Sequence, residues 1–203
     1  LLPDRLPGYG GVAMCPENEP APADETELDE RLSRPPPAVV DVMRRLDGDV
    51  MILGAGGKMG PSLTGQALRA IAEADARKTV YAVSRFGGDH ARQQLDRAGA
   101  RTIACDLLNP DDVAALPQAA NVLYLAGRKF GTTGGGEALT WAMNTIAPAH
   151  VARALPRSRI VAFSTGCVYP LVPAGQPGCT EDAPPAPVGE YAQSCLGRER
   201  VFE

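Results

Sequence analysis

From Asp49 onward, short apolar runs alternate with longer stretches of helical periodicity. The runs lie at 50–53, 79–84, 101–105, 121–126 and 159–164, and each is apolar with little polar alternation, as strands buried on both faces are. Helical patterns fill 60–76, 89–98, 110–116 and 137–154, and a further helix opens near Tyr191. Asn109 before Pro110 reads as an N-cap followed by proline at the first helical position. The order βαβαβαβαβ predicts an α/β fold with a doubly wound parallel sheet. Ligands of such sheets bind beyond the carboxyl ends of the strands, so the residues that follow each strand carry the functional signal.

Residues 1 to 37 break every periodicity with proline, including Pro35-Pro36-Pro37, and are rich in Glu and Asp. They are expected to form a poorly ordered acidic extension, a solvated leader or a partner-binding arm, with a short helix over 25–32; a second helix over 38–46 would dock ahead of the first strand. Residues 38 to 203 then make one domain, the size that 203 residues with 44% hydrophobic content supports. A net charge of −4 argues against nucleic-acid and anionic-membrane surfaces and points to a small-molecule partner. Cys15, Cys105, Cys167, Cys179 and Cys195 are odd in number and scattered, with only His90 and His150 beside them. This pattern predicts reduced thiols in a cytoplasm and no metal site. No apolar run approaches the roughly 18 residues of a spanning helix.

The first strand feeds the turn Gly54-Ala55-Gly56-Gly57-Lys58-Met59-Gly60. Glycines at 54, 57 and 60 suit a tight turn, close approach of backbone to a pyrophosphate, and close packing of helix on strand; the helix N-terminus behind them offers unpaired N–H groups to an anion. This is the pattern of a dinucleotide-binding Rossmann fold. After the second strand stand Ser84-Arg85, with no carboxylate for a ribose 2′-hydroxyl; a hydroxyl followed by a guanidinium suits a 2′-phosphate, so NADP is favoured over NAD. After the third, Asp106-Leu107 would bracket an adenine, or Asp106 would only start a turn. After the fourth come Ala126-Gly127, two small residues where backbone must pass a ligand, then Arg128-Lys129 and a glycine-rich segment, 131–136, expected as a mobile loop on the substrate side. After the fifth, Ser164-Thr165 offer two hydroxyls beside the same crevice.

Taken in order, these residues resemble the extended short-chain dehydrogenase/reductase superfamily, in its NAD(P)-dependent epimerase/dehydratase branch. The resemblance covers about residues 49 to 203 and rests on Gly54-x-x-Gly57-x-x-Gly60, Asp106-Leu107, Leu125-Ala126-Gly127, Asn144, Ser164-Thr165-x-x-Val168-Tyr169 and Tyr191. It implies that Thr165 hydrogen-bonds the reacting group, that Tyr191 is the general acid/base, that Asn144 supports the site and that Lys129 touches the cofactor. It also implies a homodimer through the fourth and fifth helices.

The chain departs from the family at the fourth residue after the tyrosine, where Cys195 stands in place of lysine. That lysine anchors the nicotinamide ribose and lowers the tyrosine pKa. Without it, Tyr191 should drift toward its reference value near 10, with about one part in a thousand ionised at pH 7. Lys129 is the expected substitute; Arg198 is the weaker candidate, because seven residues span two helical turns, about 10 Å along the axis. Cys195 is either a small residue filling the lysine position or a thiol activated near a helix N-terminus. The family continues past this helix with further strands and a substrate domain, so the chain is expected to be a fragment. The implied function is hydride transfer at a carbonyl or alcohol carbon of a small molecule such as a nucleotide sugar; the alternative is a non-catalytic NAD(P)-binding sensor, which Cys195 favours.

Overall fold

A computed structural model describes residues 20–129, 131 and 134–203. Two helices come first: α1 (Glu25–Leu32) and α2 (Pro37–Arg45). Both lie at the N-terminal side of the alternation of β1 (Val50–Leu53), α3 (Gly60–Glu73), β2 (Val80–Ser84), α4 (Asp89–Arg97), β3 (Arg101–Ala104), α5 (Pro110–Ala114) and β4 (Asn121–Tyr124). After β4 come α6 (Glu137–Trp141), a π-helical segment (Ala142–Ile146), α7 (Ala147–Ala154), β5 (Arg159–Ala162), a 3₁₀ turn (Gly166–Val168) and α8 (Gly189–Phe202).

All strand pairs are parallel, in the order β3-β2-β1-β4-β5, with Val50 opposite both Val80 and Asn121. Successive β1 side chains point to opposite faces. Met51 and Leu53 therefore join a core with Val113, Val151 and Tyr124 under α5 and α7, while Val50 and Ile52 join Val40, Ala67, Ile71 and Leu95 under α2, α3 and α4. The result is an α/β/α sandwich with β1 fully buried at its centre. The chain runs outward from β1 to β3 and then crosses back to β4, so strand order reverses between β1 and β4. A crevice at the carboxyl ends is the geometric consequence.

Part of the expected acidic extension is helical and docked. Asp24 caps α1 by accepting from the Glu27 N–H at 2.8 Å, and Glu30 pairs with Arg69 of α3. Residues 1–19 lie outside the described residues. The single helix expected over 137–154 is divided. Pro148, at the start of α7, has no N–H to give to the Asn144 carbonyl four residues back, and the Ala147 N–H bonds instead to the Ala142 carbonyl. The widened turn carries Asn144, fully buried. Strand β5 forms one edge of the sheet, with Val161 57% exposed while β4 beside it is largely buried.

Candidate active site

Beyond the strand ends lies a crevice of about 530 Å³ lined by Gly54, Gly57, Ser84, Arg85, Asp106, Leu107, Ala126 and Gly127. A neighbouring hollow of about 520 Å³ extends it over Lys58, Met59, Gly60 and Lys129. Residues named from four separate strand ends thus converge on one surface, and Ser164 and Thr165 after β5 do not line it. Local sterics explain the turn. Gly54 has φ +94°, and a Cβ there would lie 2.8 Å from the Ala126 nitrogen; at Gly60 a Cβ would lie 2.0 Å from the Ala55 carbonyl oxygen. These glycines seat the turn against β4 and α3 against the turn. α3 has no side-chain cap at its N-terminus; the Gly60 N–H donates to the Gly57 carbonyl at 3.1 Å and Pro61 has no N–H. The cradle, the uncapped helix end and Arg85 beside Ser84 fit a dinucleotide.

Other positions have competing engagements. Asp106 spends one carboxylate oxygen on the Leu108 N–H at 3.1 Å, a turn contact, while still lining the crevice. Leu107 is buried and belongs to the core as well. Ser164 is exposed and donates to Glu199 of α8. Within the glycine-rich segment expected as a mobile loop, Thr132 and Thr133 lie outside the described residues.

The acid/base face is built by α8 against the turn after β5. Thr165 accepts from the Cys167 N–H at 3.3 Å, and its hydroxyl and the Cys195 sulfur are the polar neighbours that act on the Tyr191 phenol. Asn144 clamps the neighbourhood from behind. Its Oδ1 accepts from the Arg128 N–H at 2.9 Å, and its Nδ2 donates to the Arg128 carbonyl, to the Ser194 hydroxyl at 2.9 Å and, at 3.9 Å, to the Cys195 sulfur. Asn144 is therefore saturated by the β4 loop and α8, and its part is to position both.

Burial is the largest influence on Tyr191 and raises its pKa; the Thr165 hydrogen bond opposes it, the Cys195 sulfur adds to it, and the Arg198 charge opposes it. Cys195 is fully buried, and burial pushes its thiol up, with Arg198 the leading opposing influence there. A buried, protonated thiol is a small space-filler, which disfavours the activated-thiol reading. Arg198, two turns from Tyr191 by backbone, acts on both Tyr191 and Cys195, because helical side chains lean toward the N-terminus and a guanidinium on a long stem covers the intervening rise. The i to i+7 spacing was the available signal; counting only backbone rise hid it.

Among the described residues no cluster of His, Cys, Asp or Glu could hold a metal ion, Cys105, Cys167, Cys179 and Cys195 are free, and no helix is long and apolar enough to cross a membrane. No curated protein matches the chain closely enough to count as a relative. Solved structures match it in fold. UDP-glucuronic acid 4-epimerase from Bacillus cereus, solved with UDP-glucuronic acid and NAD, superposes with a TM-score of 0.63 at 22% identity, covering 75% of this chain and 50% of that one. WbmG from Bordetella bronchiseptica, solved with NAD and UDP, gives 0.61 at 18% identity over 77% and 49%. The ADP-L-glycero-D-manno-heptose-6-epimerase of Helicobacter pylori gives 0.61 at 19% over 77% and 51%. The chain thus spans about half the length of these structures, which share its fold. With its glycine turn, its strand-end residues and its Thr165–Tyr191 contact in place, and with the family's pattern matching residues 50–201, the chain belongs to the NAD dependent epimerase/dehydratase family.

Proposed function

We propose that this chain is the dinucleotide-binding part of an NAD(P)-dependent oxidoreductase acting on a carbonyl or alcohol carbon of a small molecule, with a nucleotide sugar as the substrate class. The observation that carries this reading is the crevice at the strand ends shaped by Gly54, Gly57 and Gly60, with Thr165 acting on Tyr191 on the α8 side of the sheet. The uncapped start of α3 with Gly57, Lys58 and Met59 would hold the pyrophosphate, Asp106 and Leu107 the adenine, and Ala126, Gly127, Lys129 and Ser164 the ribose and nicotinamide end. When bound, the cofactor supplies or accepts the hydride. Thr165 polarises the substrate oxygen, Tyr191 gives or takes its proton, and Asn144 keeps α8 and the β4 loop in register.

Arg85 with Ser84 supports NADP as the preferred form, whereas the B. cereus and B. bronchiseptica structures hold NAD. Four free cysteines among the described residues suit the cytoplasm, and Ile146, 49% exposed beside the buried Asn144, suits a homodimer contact on the fourth helical stretch. A non-catalytic sensor of cofactor state is the second reading, favoured by Cys195 in the lysine position. Calorimetric titration of NADPH and NADH against the chain, followed by turnover assays with nucleotide sugars on the chain and on a longer form, separates the two. Binding with turnover supports the enzyme; binding without turnover in the longer form supports the sensor. A folded protein that binds neither cofactor sinks both.

A further inference from the structure

Arg198 is 6% exposed, and among the described residues no carboxylate pairs with it. Its Nη1 donates to the Ala126 carbonyl at a long 3.3 Å, and its Nε has no partner. A buried cation left without a counter-charge is costly. The guanidinium lies one backbone layer beneath the crevice, since a Cβ built on the crevice-lining Gly127 would stand 2.8 Å from Nη1.

Three acidic O–H or S–H groups feel its charge: Tyr124 of β4, and Tyr191 and Cys195 of α8. Tyr124 is fully buried and its hydroxyl has no partner; Cys195 is fully buried too. Tyr191 is only half-buried, so it alone can exchange a proton with a ligand. The other ionisable groups around this face are Cys167 from the 3₁₀ turn, Glu199, which accepts from Ser164, Glu190, which accepts from Trp141, and Arg128, whose backbone Asn144 holds. Arg198 is a cation among the influences on Tyr191.

We propose that Arg198 is a positioning residue of the acid/base site, its buried charge standing beneath Tyr191 in place of the lysine that Cys195 replaces. The inference rests on the reading of Tyr191 as the acid/base. When hydride adds to a carbonyl carbon and Tyr191 passes its proton to the new alkoxide oxygen, the phenolate left behind faces a guanidinium that has no competing carboxylate. Cys195 complements this arrangement. A neutral, compact side chain three residues from Arg198 avoids burying a second cation on the same helical face.

The test places a difluorotyrosine at position 191, whose phenol ionises near neutrality and is read by fluorine NMR apart from the other tyrosines. Arg198→Gln should raise its midpoint by about one pH unit, a tenfold loss of phenolate at fixed pH, and Arg198→Lys should restore most of it. An unchanged midpoint in folded Arg198→Gln protein overturns the proposal. Should Arg198→Gln fail to fold, the Arg198 Nε–H signal of the otherwise native protein should shift with the same midpoint as the fluorophenol; no inflection overturns it equally. Neither readout needs turnover, so the proposal can fail while Tyr191 remains the acid/base. If Tyr191→Phe instead leaves hydride transfer intact, the acid/base reading itself falls.

Discussion

The Ala126-Gly127 backbone is gripped from two sides by devices of different kinds. On one side the turn after β1 presses Gly54 so close that an added Cβ would lie 2.8 Å from the Ala126 nitrogen. On the other, the α8 side chain Arg198 reaches the Ala126 carbonyl, beside Cys195 and Tyr191. The first grip is made by the absence of side chains against backbone atoms that cannot move, so one residue type satisfies it. The second is made by charge and hydrogen bonding, which another side chain on the same face can deliver. The turn keeps the family's residues, while the α8 face has lost the lysine and holds a buried arginine.

The comparison breaks first at Tyr191. Tyr191→Phe keeps the packing and removes the proton, so hydride transfer should fall by about 10²- to 10⁴-fold with cofactor affinity unchanged in titration. Parallel losses of affinity and rate would mean that the phenol holds the fold and does no chemistry. Next comes the turn. Gly60→Ala drives a methyl to 2.0 Å from the Ala55 carbonyl oxygen and 2.4 Å from its carbon, so the α3 start must shift. Denaturant titration should show a loss of about 3 kcal/mol, with cofactor binding lost as well. A loss below about 1 kcal/mol would show that the backbone there yields, and that the two grips differ less than the geometry states.

The same contrast governs what could be read from the chain before its structure. All five strands and the glycine turn were legible, because apolar runs and glycine spacing are local signals. β3, β4 and β5 end one or two residues before their apolar runs do: β4 ends at Tyr124, although the run continues through Ala126. The division of the fourth helical stretch turned on one missing N–H at Pro148, which was visible in sequence yet outweighed by the surrounding periodicity. Docking of α1 on α3 was hidden, because it depends on Glu30 meeting Arg69 across a long separation. Arg198 was hidden for a different reason. Its role depends on where the end of a flexible stem lies, and neither spacing nor residue type states that.

Cofactor choice sharpens the comparison on the turn side of the crevice, where backbone holds the shared part of the ligand and side chains select its form. Ser84 ends β2 and Arg85 follows it, and both line the crevice. Charge-assisted hydrogen bonds to phosphate contribute about 1.5–3 kcal/mol, so Arg85→Ala should weaken NADPH by about tenfold to a hundredfold and leave NADH nearly unchanged. Calorimetry with both cofactors reads this directly. Equal losses would assign Arg85 to packing and remove the case for NADP.

The smallest effect comes from restoring the family's residue on the α8 face. Cys195→Lys places a second cation where Cys195 is now fully buried, three residues from Arg198 on one side of the helix. If charge is exchangeable between these positions, each cation makes the other less favourable. Cys195→Lys alone should therefore cost stability, and Arg198→Gln added to it should return part of the loss, with a coupling of about 1 kcal/mol in a double-mutant cycle. The double variant should also titrate Tyr191 close to the native midpoint, since one cation remains near the phenol. Additive losses in denaturation, with a Tyr191 midpoint that follows neither substitution, would show that the two positions are independent. The α8 face would then be as inflexible as the glycine turn, and the difference between the two grips would be one of residue type alone.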